Sequence, residues 1–231
     1  MSVAQSQMTT LPEAKALAET LRAQDRLPQA LDIAMQGLRL DQDNPYLTFE
    51  FASWTRDLAE GLGDRAAALE SSIAAFKAKP SLKDYQTIEA LSEEGWSDTK
   101  EQLLQQIRQM DEWHGADAQV DIFLHEDLLD DAIEKVSDFS SYYGSLILSV
   151  MDAAIASHSE WVIENALPRA QSIVNEGKAK YYSSAVEWLK RVKAAYLELD
   201  KKQDWLNYRR ELVDAHGRKY KLMGLLEQNK L

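Results

Sequence analysis

The last quarter of the sequence brings basic and aromatic side chains together in a chain that is otherwise acidic. Residues 177–231 contain 13 Lys and Arg against 7 Asp and Glu, a net charge of +6, whereas residues 1–176 carry −18. Ammonium and guanidinium groups can neutralise phosphates or carboxylates, and tyrosine rings can stack on bases. The candidate interaction surface consists of ten cations: Lys178, Lys180, Lys190, Arg191, Lys193, Arg209, Arg210, Arg218, Lys219 and Lys221.

Three interpretations of this basic stretch stay open. Tyr181, Tyr182 and Tyr220 beside the cations favour contact with nucleic acid through stacking and phosphate neutralisation. A solvated helix face, whose cations pair within the molecule, explains the same composition, because Glu187 and Glu211 interrupt the basic run. The third interpretation is a surface that binds an acidic protein partner.

Two short stretches resemble cofactor or metal motifs. The sequence "GLGDRA" at 61–66 matches the loose dinucleotide fingerprint, but that motif needs a preceding strand, and the residues before it have a helical pattern. The sequence "HEDLLDD" at 125–131 offers an imidazole and carboxylates, yet acidic residues are common where a helix begins, because they complement its dipole. We therefore predict a non-catalytic protein with no catalytic, cofactor-binding or metal-binding residue.

Cysteine is absent from the chain, which excludes disulfides, cysteine-ligated metal sites and a thiol nucleophile. The N-terminal residues lack the pattern of a secretory signal, and no stretch has the roughly 18 apolar residues of a membrane-spanning helix. With 45% hydrophobic and 28% charged residues, the composition is that of a folded protein. We expect a cytoplasmic protein without a membrane partner.

Apolar residues recur at helical spacing from the first part of the chain onwards. In residues 14–40 the spacing predicts two helices separated near Asp25, with Pro28 in the first turn of the second and Pro45 as a stop. Helix, turn, helix and Asn-Pro in this order resemble a tetratricopeptide repeat, although Gly37 stands where a small Ala is usual.

Two further helix pairs are predicted before residue 115. The second pair has its break at Gly61 and Gly63 and its stop at Pro80, about one repeat period after Pro45. The third pair occupies residues 81–110, with Ser81 and Ser97 as N-caps.

The second half of the chain is less regular but also helical in pattern. We predict two short helices in 117–139, a buried helix in 145–157, and an amphipathic helix in 159–176 that is interrupted near Pro168. From Lys178 to Leu199 the sequence keeps one apolar face, and two more helices follow. The tryptophans are predicted to anchor the packing between helices: Trp54, Trp96, Trp113, Trp161, Trp188 and Trp205.

These patterns predict an all-α protein, an α-solenoid of stacked antiparallel helix pairs that is tetratricopeptide-like. We expect a flexible segment over residues 1–12 and one helical-repeat domain over 13–231. Within it, residues 13–115 form the regular pairs, and residues 116–231 form less regular pairs with the basic end.

The stretch from "SEWVIENALPRAQSIVNEGKAKYY" to "DAHGRKYKLMGLLE" resembles the C-terminal helical region of bacterial, especially cyanobacterial, SWIM zinc-finger proteins. Upstream, "LDIAMQGLRL", "KPSLKDYQTIEAL" and "QVDIFLHEDLLDDAIEKV" are similar to the preceding part of the same region. The SWIM finger itself holds zinc with cysteines and a histidine, and the absence of Cys means that this chain lacks it. The chain is therefore either a fragment of a longer zinc-finger protein or a standalone relative.

The resemblance implies a helical-repeat module that docks partners. We expect a scaffold for protein–protein interaction that presents a groove to a partner helix or extended peptide, and whose basic end steers an acidic partner. The alternative is an accessory nucleic-acid-binding module that uses the basic C-terminal helices. No cofactor is expected in either case.

Overall fold

The computed structural model describes residues 9–40, 44–110, 115–140 and 143–231. Within these ranges the chain is helical and contains no strand, which confirms the all-α prediction. The chain divides into two compact units, Met1–Ile122 and Phe123–Leu231. Residues 41–43, Trp113 and most of the predicted N-terminal segment lie outside the described residues.

Among the described helices, none combines the length and the apolar character needed to cross a membrane.

Consecutive helices of the first unit pack against one another. The helices are α1 (Leu11–Ala23), α2 (Leu27–Gly37), α3 (Pro45–Leu62), α4 (Arg65–Ala78), α5 (Leu82–Ser92), α6 (Trp96–Arg108) and α7 (Ala116–His125), of which α7 crosses the boundary between the units. Helix α1 packs on α2 and α3 packs on α4, while α2 also contacts α3 and α4 contacts α5. The packing of helices in neighbouring pairs is therefore confirmed.

Gly37 on α2 lies close to Ala14 of α1 and Phe51 of α3. A Cβ atom at this position would stand 2.5 Å from Ala14 Cβ and 2.9 Å from Cε1 of Phe51. Both neighbours are fully buried. The approach of the helices leaves no room for a methyl group at this position, which accounts for the glycine.

The turn between α3 and α4 lies within "GLGDRA", as predicted, but it consists of Gly63 and Asp64, and Gly61, where a break was also predicted, is still helical. Helix α3 ends at Gly63, which has a left-handed φ of 73° and is followed by a backbone bond from Asp64 N to Ala59 O of 2.9 Å. Asp64 then begins α4, since its Oδ1 accepts a hydrogen bond from Ala67 N at 3.0 Å. The glycine supplies the helix C-cap conformation and the aspartate supplies the next N-cap.

Two predicted helix boundaries were wrong. Pro45 does not mark a stop but begins α3, because Asn44 Oδ1 accepts bonds from the backbone N–H groups of Tyr46 and Leu47 and proline suits the first turn. Ser97 is not an N-cap, since α6 already begins at Trp96 after a short 3₁₀ turn. Ser81 is the N-cap of α5, as predicted.

In the second unit one helix contacts most of the others. The helices are α8 (Leu129–Ser137), α9 (Gly144–Ala154), α10 (Ser159–Glu176), α11 (Tyr182–Glu198), α12 (Lys202–His216) and α13 (Tyr220–Gln228). Helix α11 packs along α10 and also contacts α9, α12 and α13. The predicted apolar face of α11 supplies these contacts through buried residues such as Ala185, Trp188 and Val192.

The predicted interruption of α10 near Pro168 was wrong, because the helix runs without a break from Ser159 to Glu176. A proline inside a helix removes one backbone hydrogen bond and costs about 3 kcal/mol. Val162, Ala166, Ala170 and Val174 are buried on both sides of Pro168 at a spacing of four residues. This face packs along α11 and outweighs the local cost.

Two of the tryptophans are nearly inaccessible, since Trp188 is 4% exposed and Trp205 is 3% exposed. Trp96 meets the buried ring of Tyr85 edge-on, with 5.2 Å between the ring centroids. These three residues confirm the prediction that tryptophans anchor the packing.

Candidate interaction surface

The ten cations of the candidate interaction surface lie on α11, α12 and α13 and on the segments that precede these helices. They differ in what surrounds each charge. Six of them are bonded to groups within the second unit, and the other four form no such bond among the residues that the structure describes.

Arg191 is used inside the second unit. Its Nε and Nη2 donate to Asp152 Oδ1 at 2.8 Å and Oδ2 at 2.6 Å, and its Nη1 donates to Glu187 Oε2 at 2.7 Å. Hydrogen bonding to Asp152 is the main reason that the pKa of the Arg191 guanidinium is raised. Only 17% of the Arg191 side chain is exposed. This residue therefore links α11 to α9 and is not available to a partner.

Two lysines pair with nearby carboxylates. Lys190 Nζ donates to Glu187 Oε1 at 2.7 Å, and this bond is the main cause that lowers the pKa of Glu187. Lys178 Nζ lies 2.8 Å from Glu176 Oε2, and the hydrogen bond raises the pKa of Lys178. Exposed pairs of this kind are weak because water screens them. The two lysines add little net charge to the surface.

Three cations hold backbone carbonyl groups near helix C-termini. Lys193 Nζ donates to Lys230 O at 2.6 Å, and Arg209 Nε donates to Leu231 O at 2.7 Å. Lys219 Nζ donates to Val174 O in the last turn of α10. Carbonyls at a helix C-terminus lack partners within the helix and carry the negative end of its dipole. These cations thus fasten the ends of α10 and α13.

The remaining four cations, Lys180, Arg210, Arg218 and Lys221, are exposed, and none forms an ion pair or hydrogen bond with a side chain that the structure describes. We call them the free cations. Lys180 Nζ stands over the ring of Tyr181, 4.7 Å from its centroid. The surface that can meet a partner is therefore smaller than the sequence indicated.

The tyrosines considered for stacking are not equivalent. Tyr182 is 3% exposed and belongs to the buried face of α11, so the prediction that it is available for stacking was wrong. Tyr181 is 45% exposed and Tyr220 is 83% exposed. Tyr220 lies between the free cations Arg218 and Lys221 in the sequence. An exposed ring flanked by two free charges is suited to contact a partner.

A groove opens beside Tyr181 within the second unit. It has a volume of about 530 Å³ and is lined by Gly144, Ser145, Leu148, Ile173, Tyr181, Ser184, Glu187 and Trp188. We call it the α9–α11 groove. Most of its lining is apolar, and its volume lies in the range of about 300–1,000 Å³ that is typical of binding pockets.

A hydroxyl, an imidazole and a carboxylate also meet in the second unit. Ser157 Oγ lies 2.9 Å from His158 Nδ1, and His158 Nε2 lies 3.1 Å from Asp130 Oδ1. The order of groups is that of a nucleophile with its base, but the Asp130 side chain is 93% exposed and is screened by water, unlike the buried aspartate of a serine-protease triad. These contacts hold α8 against the turn between α9 and α10.

The first unit contributes a small apolar depression between α1 and α3. It has a volume of about 160 Å³ and is lined by Leu11, Pro12, Lys15, Ala16, Glu19 and Leu47. Lys15 Nζ lies 3.6 Å from Glu50 Oε2, and Tyr46 at the start of α3 is 67% exposed. The depression is too small for a whole ligand but can take one side chain of an extended peptide.

The sequence did not reveal the α9–α11 groove or the contacts of His158. Each of these features joins residues that are far apart in the chain, so no local spacing indicates them. One signal was present and unused: Thr10 and Glu13 have capping-box spacing, and the structure contains that box at the start of α1.

Comparison with models of protein families finds no match to this chain, and a search of curated proteins finds no match either.

Proposed function

We propose that this chain is a non-catalytic helical-repeat scaffold that binds a protein partner, and that the free cations contact acidic residues of this partner. One observation carries the proposal. Six of the ten cations are bonded within the second unit, whereas Lys180, Arg210, Arg218 and Lys221 are exposed without an ion pair among the described residues, and Lys180 stands over the exposed ring of Tyr181. Exposed charges that form no ion pair among the described residues, together with exposed aromatic rings, are typical of contact surfaces.

The first unit supports the repeat architecture. Each helix from α1 to α5 contacts its successor, and α3 also contacts α1. In a tetratricopeptide-like solenoid, the first helix of one pair packs on both helices of the preceding pair. We propose this arrangement for the first unit, with the exposed face of α1 and α3 turned to an extended segment of the partner.

Charge favours a protein over a nucleic acid as the partner. Proteins that bind duplex DNA tightly often neutralise roughly six to ten phosphates, and the surface offers four free cations. The whole chain carries a net charge of −12, which repels a long polyanion. A short acidic segment feels mainly the charges within the Debye length of about 8–10 Å.

The second candidate function is an accessory nucleic-acid-binding module. It is supported by Tyr220, which is 83% exposed, lies between Arg218 and Lys221 in the sequence, and is suited to stack on a base. This candidate agrees with the resemblance to the C-terminal region of SWIM zinc-finger proteins, which we retain as a proposal. A cytoplasmic location is likewise a proposal.

Charge reversal tests the proposed function. Arg218→Glu with Lys221→Glu removes two free cations, while Lys77→Glu with Lys83→Glu changes the net charge equally at exposed sites in the first unit. Affinity capture from the native cells at fixed salt should recover a protein in constant stoichiometry with the wild type and with the control. Arg218→Glu with Lys221→Glu should lose most of the captured protein. Equal recovery with this variant and with the control would contradict the proposal.

A further inference from the structure

From the shape and charge of the α9–α11 groove, we infer that it binds an amphipathic helix of a protein partner, with a large apolar side chain in the groove and an acidic residue beside Lys180. This inference rests on the proposed function, since it names the contact through which the scaffold holds its partner. The lining residues of the groove are distant in sequence from Arg218 and Lys221. The groove and these two cations can therefore be tested separately.

The lining of the groove fits an apolar anchor. Leu148 and Ile173 are half-buried, Tyr181 is 45% exposed, and the indole of Trp188 is buried at 4% exposure. These side chains expose apolar surface that a partner's leucine, phenylalanine or tryptophan can cover. The hydroxyls of Ser145 and Ser184 are exposed and supply polar contacts along the lining.

The walls of the groove are held in place by contacts behind them. The guanidinium of Arg169 stands over the Trp188 ring, 5.8 Å from its centroid, and it also donates to Asn165 O at 2.7 Å and to Phe139 O at 3.3 Å. Glu187 is held by Lys190 and Arg191. A wall that is already ordered loses little conformational entropy when a partner binds.

The length of the groove corresponds to two helical turns. Its lining residues Tyr181, at the N-cap of α11, and Ser184, Glu187 and Trp188, on α11, span eight residues, or about 10 Å at a rise of 1.5 Å per residue. A partner helix that places apolar residues at i, i+3 or i+4, and i+7 covers the same length. This spacing favours a helix over a single small ligand.

The charges around the groove indicate that the partner helix is acidic. The carboxylate of Glu187 is neutralised by Lys190 and Arg191, so it does not repel an incoming acid. Lys180 stands at the Tyr181 ring with no paired carboxylate among the described residues. The rim of the groove is therefore positive where the partner's acidic residue would lie.

The site can be probed with two dyes that differ by one charge. We expect 1-anilinonaphthalene-8-sulfonate to bind the full chain about fivefold more tightly than N-phenyl-1-naphthylamine, which lacks the sulfonate. Binding should shift the backbone amide NMR signals of Ser145, Leu148 and Ser184. Lys180→Gln should remove the preference for the anionic dye. Lys202 is another exposed lysine, and Lys202→Gln should keep this preference. Equal affinities in the wild type, or shifts elsewhere, would overturn the assignment.

A filled groove provides the matched control. Ser184→Trp places an indole in the groove, whereas Ser183→Trp changes an exposed residue outside the groove lining on the same helix. Ser184→Trp should weaken dye binding about tenfold or more, and Ser183→Trp should leave it unchanged. Circular dichroism of both variants should match the wild type.

The occupant is tested by selection. Randomised 16-residue helices displayed on phage, selected on the wild type and counter-selected on Ser184→Trp, should be enriched in Asp or Glu beside Leu, Phe or Trp. Enrichment of basic helices would contradict the claim that an acidic amphipathic helix occupies the groove. So would a lack of enrichment while the anionic dye still binds. A concentration-dependent dimer that Ser184→Trp abolishes would instead identify a second copy of this chain. Arg218→Glu with Lys221→Glu should retain dye binding, so failure of the groove and failure of the basic surface give different results.

Discussion

Arg191 on α11 and Asp152 on α9 form two parallel hydrogen bonds, of 2.8 Å from Nε to Oδ1 and of 2.6 Å from Nη2 to Oδ2. The residues are 39 positions apart in the sequence. A guanidinium matches a carboxylate in this two-bonded geometry, whereas an ammonium forms a single contact. The pair thus removes the candidate cation Arg191 from the surface that a partner can reach and uses it to hold α11 against α9.

Arg191→Ala should lower the free energy of unfolding by about 1–3 kcal/mol, because Asp152 loses the charged donor of its two hydrogen bonds and the Arg191 side chain is largely buried. Urea denaturation measures this loss. Lys190→Ala should cost less than about 0.5 kcal/mol, since its pair with Glu187 is part of an exposed helix face. If both variants lost the same free energy of unfolding, the contact between Arg191 and Asp152 would contribute no more than an exposed ion pair.

Gly37→Ala should destabilise the first unit by about 1–3 kcal/mol, since the new methyl group would lie 2.5 Å from Ala14 Cβ. Gly61→Ala is the matched control, because a Cβ at Gly61 meets no atom within 4 Å. This control should be neutral or stabilising by up to about 1 kcal/mol. Thermal unfolding of both variants checks the difference, and a stabilised Gly37→Ala protein would refute the close approach of α1, α2 and α3.

Pro168→Ala should stabilise the protein by about 1–2 kcal/mol. The substitution restores one backbone hydrogen bond within α10, worth part of the roughly 3 kcal/mol that a proline costs inside a helix, while the unfolded chain gains freedom. Pro168 is exposed, so no packing is lost. Chemical denaturation gives the result, and an increase in amide hydrogen-exchange protection around residue 168 should accompany it.

Burial raises the pKa of Tyr208 to about 12 from its ordinary value of 10. The fold therefore favours the protonated phenol, and its contribution to stability is complete below pH 10 and is lost as the pH rises to about 12. After allowance for partial exposure, the loss is about 1–2 kcal/mol. Between pH 9 and pH 11.5 the wild type should lose this much more stability in urea than Tyr208→Phe. Parallel curves for the two proteins would contradict the assignment.

Local sequence signals predicted much of the fold. The turn at Asp25, the helix end at Gly63 and the cap at Ser81 depend on residues within a few positions, and so does the apolar face of α11. The continuity of α10 through Pro168 was not predictable in this way, because its cause is packing against α11.

Tertiary pairing limited the prediction of the site in the same manner. Composition identified the basic stretch, but Arg191 reaches Asp152, Lys219 reaches Val174, and Arg209 reaches Leu231 across long separations in sequence. The distinction between internally bonded and free cations therefore needs the structure. Tyr182 shows the same limit, since its burial follows from its place on the inner face of α11.

Photo-crosslinking from position 220 tests the central claim most directly. With benzoylphenylalanine in place of Tyr220, irradiation in the native cells should give a discrete adduct to one protein that resists nuclease. Arg218→Glu with Lys221→Glu should abolish this adduct, and the same probe at Leu62, an exposed position in the first unit, should not form it. A nuclease-sensitive adduct, or no adduct that depends on these cations, would contradict a scaffold that binds a protein partner through its basic surface.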